Sequence, residues 1–189
     1  MAEEVKNTAP VRERRSPRTD RAQVPKEDKQ FEELVINIDR VARVVKGGRR
    51  FRFKALVVVG DRKNKVGVGV AKGQDVQAAV AKATDVAKKN LITISTAKDT
   101  IPHDTEVKMS GARVLLKPAA PGTGIIAGGV VRSIIGVTGI RNLLSKSLGS
   151  TNKVNIAYAT IEALKSLVPA EEWITNAKTK KTTSAKKEG

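Results

Sequence analysis

The chain has 189 residues, 40% of them hydrophobic and only 3% aromatic, with Lys+Arg 36 against Asp+Glu 19. A formal net charge of +17 points to a polyanionic partner, nucleic acid or an anionic membrane surface. The absence of cysteine excludes disulfides, thiolate zinc sites and cysteine nucleophiles together.

That length allows one large domain or two small ones, with a core built from Val, Ile, Leu and Ala. Residues 1–28 mix Pro, Arg, Glu, Asp and Thr without a hydrophobic period and read as a mildly basic disordered arm. The start, "MAEEVKNTAP", lacks the apolar segment of a signal peptide. The uncharged stretch Pro118 to Val131 is too short and too rich in Gly and Pro to span a bilayer. Together these features predict a soluble, intracellular protein without membrane contact.

Residues 31–37 leave a helical turn and a lead-in to a strand both open. Residues 38–46 and 50–59 read as two strands joined by "KGGR", where Gly47 and Gly48 can take the positive φ of a tight hairpin turn. In the second strand Phe51, Phe53, Ala55, Val57 and Val59 share one face. Arg50, Arg52 and Lys54 take the other near the turn, and Leu56 and Val58 replace them further on. "GDRKNK" makes the next turn, with Asn64 tolerating a left-handed conformation. "KVGVGVA" predicts a third strand. "QDVQAAVAKATDVAKKN" then has helical spacing, with Val76, Ala79, Val80, Ala83, Val86 and Ala87 on one face. The domain so defined covers 29–95.

The segment Pro102, His103, Asp104 marks a boundary, and a second domain is expected over 105–175. "ARVLLKPA" predicts a strand stopped by Pro118, "PGTGIIAGG" a glycine-rich connection, and short helices are expected near 130–136 and 141–148. Asn152 caps a last helix with the stripe Val154, Ala157, Ile161, Leu164 and Val168, and Pro169 stops it. Trp173 is expected to anchor the end of that region, and 176–189 read as a disordered lysine-rich tail.

The candidate chemistry is electrostatic. "RVVKGGRRFRFKA" sets Arg43, Lys46, Arg49, Arg50, Arg52 and Lys54 around two glycines with no carboxylate among them. Like charges so placed repel by roughly 1 kcal/mol per close pair in water, which an opposing anion relieves. Arginine forks and the N–H groups of a glycine turn both suit phosphate. Arg40 and Lys72 extend the same set. The glycines of "VGVGVAKG" lie inside a strand pattern and are read as a bare sheet face, not as a dinucleotide fingerprint. In "PGTGIIAGG", Gly122, Gly124, Gly128 and Gly129 before a short helix can form an anion-binding terminus, and Thr123 and Gly124 join the expected RNA contacts. No Walker lysine follows it. His103 is read as a structural hydrogen-bonder, and no carboxylate pair suggests acid–base work or a metal, so neither cofactor nor enzymatic activity is expected.

Two long stretches carry a resemblance. "DRVARVVKGGRRFRFKALVVVGDRKNKVGVGVAKG" and "KPAAPGTGIIAGGVVRSIIGVTGIRNLLSKSLGSTNKVN", with "TIPH" between them, resemble the two halves of the S-five family of bacterial small-subunit ribosomal proteins. The resemblance implies an α+β fold of two small domains. The first would be a βββα domain like the double-stranded-RNA-binding fold, the second an α/β domain of the S-five domain 2-like type. It implies binding to small-subunit rRNA and contacts with proteins S-four and S-eight. It also implies a place beside S-three and S-four at the mRNA entry channel, and roles in assembly and decoding accuracy. Lys46, Gly47, Gly48 and Arg49 match the loop neighbouring the spectinomycin site, and Gly111 and Arg113 match the S-four contact region. Gly136 stands where relatives carry a good helix former, which predicts a shortened helix, and Lys153 stands in place of a proline. Two other readings remain open: an RNA chaperone acting off the ribosome, and a small-metabolite kinase, whose glycine loop "PGTGIIAGG" loosely resembles.

Overall fold

The computed structural model describes residues 31–169 and Glu172; the arm, the tail and Trp173 lie outside the described residues. β1 (Glu32–Val45), β2 (Gly48–Gly60), β3 (Lys65–Gly73) and the short β4 (Ile92–Thr93) form an antiparallel sheet in that order, with α1 (Val76–Lys89) between β3 and β4. β5 (Thr105–Met109), β6 (Ala112–Pro118), β7 (Ile125–Ile126) and β8 (Leu143–Ser147) form a second sheet in the order β5-β6-β8-β7. Only the β7–β8 pair is parallel, and α2 (Gly129–Thr138) is its crossover. α3 (Lys153–Lys165) closes the described fold.

The elements stack in four layers: α1, the first sheet, α2 with α3, and the second sheet. β2 explains the stack. Its Ala55, Val57 and Val59 bury against Ala79, Ala83 and Ala87 of α1, with Phe31 and Phe53 alongside. On its opposite face Leu56 and Val58 join Val66 and Val68 in a core that continues through Ile134, Ile135 and Leu164 to Val114, Leu116 and Leu143 of the second sheet. Two domains thus share one apolar interior. α1 approaches β3 closely because Gly67 and Gly69 lack side chains: a Cβ at Gly69 would lie 2.6 Å from the Ala87 nitrogen and nearer still to the Ala83 carbonyl oxygen. The glycines read as a bare sheet face therefore seat a helix.

Several elements depart from the sequence expectation. The open stretch 31–37 is strand from Glu32, pairing in register up to Glu32 with Gly60 across an irregularity at Val35 and Asn37. Residues 141–148, expected as a helix, are β8 over most of their length. α2 ends at Gly139, whose φ of 88° is left-handed. Beyond it Leu143 pairs with Pro118 and Ile125 at once, so two strands claim the backbone that a helix would need. β5 has no counterpart in the sequence expectation; it is a hairpin arm for β6, reversed at Ser110 and Gly111 with Ser110 at φ 52°. α2 runs through Gly136 to Thr138 instead of stopping short. α3 buries a broader face than its predicted stripe: Ile156, Ala159, Thr160 and Ala163 are buried, while Val168, beyond its end, stays 41% exposed. Asn152 caps it as expected, accepting from the Val154 N–H at 3.1 Å. His103 is the structural hydrogen-bonder its context suggested. Its Nε2 accepts from the Val168 N–H at 3.1 Å, which leaves Nδ1 to donate to the Asp104 carbonyl at 2.8 Å.

Candidate RNA interface

The β1–β2 hairpin positions the cations. Val45 pairs with Gly48, so Lys46 and Gly47 make a two-residue turn. Gly47 at φ 83° and Gly48 at φ 150° adopt conformations that side-chained residues resist. Neither glycine would bring an added Cβ within 4 Å of anything, so the tip stands in open space.

Register sorts the cations onto two faces. Arg43 faces Arg50, and Val41 faces Arg52. Lys54 pairs with Asp39 in β1 and with Lys72 in β3. These side chains share the face that further along carries Leu56 and Val58. There Arg43, Arg50, Arg52 and Lys72 line a groove of about 370 Å³ with Val41 and Val45. None of these four cations forms an ion pair among the described residues. Lys54 is different: it bonds Asp39 at 2.8 Å, a carboxylate lying outside the quoted segment. The helix-side face carries Arg40 and Arg49. Arg40 lies 3.8 Å from the Phe51 ring centroid, covering a half-exposed aromatic with a guanidinium.

A polar chain ties this hairpin to the second domain. Lys153 Nζ donates to Asn37 Oδ1 at 2.7 Å, Asn37 Nδ2 donates to Asp39 Oδ1 at 2.6 Å, and Lys54 holds the other Asp39 oxygen. The Lys54 and Asn37 hydrogen bonds hold the Asp39 carboxyl below its usual range. At the far end of the sheet the Arg62 guanidinium grips Glu32 at 2.5 and 2.8 Å and lowers that carboxyl likewise. Burial pushes Asp61 up, but the N–H groups of Lys65 and Lys63 on its carboxylate leave it lowered. A depressed carboxyl contributes stability above its unfolded value and loses it as pH falls through the folded one. Stability is therefore expected to decline below about pH 4. Lys54→Ala should flatten that decline, by a few tenths of a kcal/mol because Asp39 is solvent-screened. Parallel acid titrations of wild type and variant would refute the coupling.

The remaining sequence candidates fall elsewhere. In the loop before β7, the N–H groups of Gly122 and Gly124 both donate to Asn142 Oδ1 at 3.1 Å. Asn142 is 6% exposed. The Gly124 N–H is thus engaged within the fold, and Thr123 has an exposed side chain beside it. Gly111 sits at the β5–β6 tip, its carbonyl accepting from the Ser150 N–H at 2.8 Å, and Arg113 is paired with Glu106. Among the described residues no group of three or more His, Asp or Glu is placed to hold a metal, and no helix is long and apolar enough to cross a membrane.

Two α+β domains on one core, with a strand face of unpaired cations, define a protein of the polyanion-binding class. Residues 31–95 match the family described as Ribosomal protein S5, N-terminal domain, and residues 107–177 match Ribosomal protein S5, C-terminal domain. The chain is similar to the small ribosomal subunit protein uS5 of Campylobacter jejuni strains 81-176, 81116 and RM1221. Each is 55% identical over 135 residues, covering 71% of this chain and 92% of the relative. The chain belongs to the ribosomal protein S5 family. That family is structural and not enzymatic, so the kinase reading of the glycine loop falls, and rRNA binding and a role in translation follow from membership.

Proposed function

We propose that this ribosomal protein is a structural constituent of the small subunit in the cytoplasm, clamping small-subunit rRNA with the β1–β2 hairpin. The observation that carries the reading is the face formed by Arg43, Arg50, Arg52 and Lys72, free of ion pairs among the described residues. Lys46, Gly47, Gly48 and Arg49 form the tip beside the spectinomycin site, with Arg40 and Lys54 bracing the strands behind it. Proteins S-four and S-eight are its protein neighbours, and with S-three and S-four it borders the mRNA entry channel. Through these contacts it serves assembly and decoding accuracy.

The β5–β6 tip at Gly111 and Arg113 is the S-four contact in this reading. A Cβ at Gly111 would meet only Ser150 Cβ, at 3.5 Å, so Gly111→Arg leaves the fold intact and projects a long cation outward. Cells carrying only Gly111→Arg should assemble subunits yet misread a reporter codon about 5-fold more often, the low end of coupling between distinct sites. Unchanged misreading with normal subunit assembly would remove this tip from accuracy control.

A further inference from the structure

The face of the first sheet that carries α1 is only partly covered. α1 lies on β2 and β3, and the edge strand β1 is left open beside it. Register places Glu33, Val35 and Ile38 on that side, opposite Val59, Val57 and Ala55 of the small core. Val35 is 41% and Ile38 44% exposed, an apolar strip with nothing over it among the described residues. A groove of about 500 Å³ runs between β1 and α1, lined by Glu33 on the strand and by Gln77, Val80, Ala81, Thr84 and Asp85 on the helix. Lys88, in the last turn of α1, bridges its end to Glu33 at 3.2 Å.

The wall of this groove holds an unmet hydrogen bond. Thr84 is 5% exposed, yet its Oγ1 has no partner among the described residues. A buried hydroxyl without a partner is costly, and a threonine within a helix commonly donates to the carbonyl four residues back. An extended peptide laid in the groove would bring Thr84 a backbone carbonyl or N–H. Charge speaks against a nucleic acid here. Glu33 and Asp85 outnumber Lys88, and Asp85 forms no ion pair among the described residues. On a chain of net charge +17, an acidic and partly apolar groove selects a segment that joins apolar to cationic side chains. One lies next to it in the chain. Phe31 packs against the small core two residues before Glu33, and residues 21–30 before it read "RAQVPKEDKQ", with Val24 and Pro25 flanked by Arg21 and Lys26. The groove from Lys88 back to Gln77 follows roughly 16 Å of helix. About five extended residues cover that distance, so Val24 and Pro25 can reach Val80 and Thr84. The N-terminal family match begins at residue 31, so this segment is additional to the shared domain.

We infer that residues 21–30 of this chain dock in the groove between β1 and α1, seating Val24 and Pro25 there. A backbone group of the segment meets Thr84 Oγ1, and its flanking cations face Asp85. The docked segment lies on the opposite side of the sheet from the groove of Arg43, Arg50, Arg52 and Lys72, and the inference is independent of the rRNA-binding reading. The chain has no cysteine, so Gln23→Cys carries a single nitroxide in the full chain, and loss of amide signals reports what lies near it. The signals of Val35, Val80, Ala81 and Thr84 should be lost, while those of Gly47, Gly48 and Leu144, on other surfaces, should survive. Adding Ala81→Gln and Asp85→Lys, both at exposed positions, should restore the Val35 and Thr84 signals in a chain that still folds. Thr84→Val keeps the shape of the side chain and deletes the hydroxyl; it should not raise the unfolding temperature, because the docked segment already satisfies that group. Intact groove signals in the nitroxide-bearing chain would give the groove to an outside partner and overturn the inference. Loss in a mixture of nitroxide-bearing chain with separately isotope-labelled chain would mean a second copy in the groove and would equally overturn it. A rise in unfolding temperature for Thr84→Val would show the hydroxyl unpaired in the whole protein, against the docked segment.

Discussion

Replacing Arg43, Arg50 and Arg52 together by alanine is expected to flatten the salt dependence of rRNA binding by roughly 2.1–2.7 in log–log slope, at about 0.7–0.9 for each phosphate left without its arginine. The three side chains line one face, and no carboxylate among the described residues neutralises them. Each is therefore available to displace a condensed counterion. Lys54→Ala makes an internal comparison. Its ammonium is already committed to Asp39 at 2.8 Å, so it should move the slope by less than any one of the arginines. The fold should tolerate the triple change, because Arg50 and Arg52 are exposed and Leu56 and Val58, wholly buried, begin the core further along β2. A wild-type slope in the folded triple variant would take the hairpin out of the RNA interface.

Gly69→Val is expected to be strongly destabilising. Its Cβ would lie 2.6 Å from the Ala87 nitrogen and closer to the Ala83 carbonyl oxygen, both backbone atoms of α1 that no rotamer change can move aside. The helix must lift off the sheet, opening the small core of Ala55, Val57, Val59, Ala79, Ala83 and Ala87. Overpacking commonly costs about 1–3 kcal/mol, and contact with rigid backbone puts this case at or above the upper end. For a chain of this size about 3 kcal/mol lowers the unfolding temperature by roughly 6–12 °C. Gly48→Val is the contrasting variant. Its φ of 150° strains a side chain but its surroundings are open, so it should alter the tip and leave most of the stability. Equal unfolding temperatures for Gly69→Val and wild type would mean that α1 does not rest on β3 through these glycines.

The two results would also separate the roles of β2. Near the turn its side chains line the cationic groove; beyond Lys54 they serve two cores at once. Because Leu56 and Val58 sit in the interior that includes α2 and α3, a defect in α1 packing reaches the second domain through a single strand. Unfolding should accordingly be one transition in the described core. A calorimetric trace with two separated transitions would contradict a shared interior.

The alternation of β2, the hairpin turn before Gly48, the helical spacing of α1, the cap at Asn152 and the unbalanced cations were all legible in the sequence, because each is a local pattern. Strand period, turn chemistry and charge need no knowledge of distant neighbours. Tertiary structure decided the rest. Whether 143–147 became strand or helix depended on Pro118 and Ile125 being free to pair with Leu143 from either side. That Leu56 and Val58 lie at a domain junction depended on Ile134 and Ile135 arriving opposite them. Lys54 looked like its arginine neighbours until folding set Asp39 across from it, and only folding brought Asn142 onto the Gly122 and Gly124 N–H groups. Arg132 and Arg141 lie nine residues apart along the chain. Only the turn after α2 brings them around one groove with Arg62, since a charge cluster drawn from three elements leaves no contiguous signal in sequence.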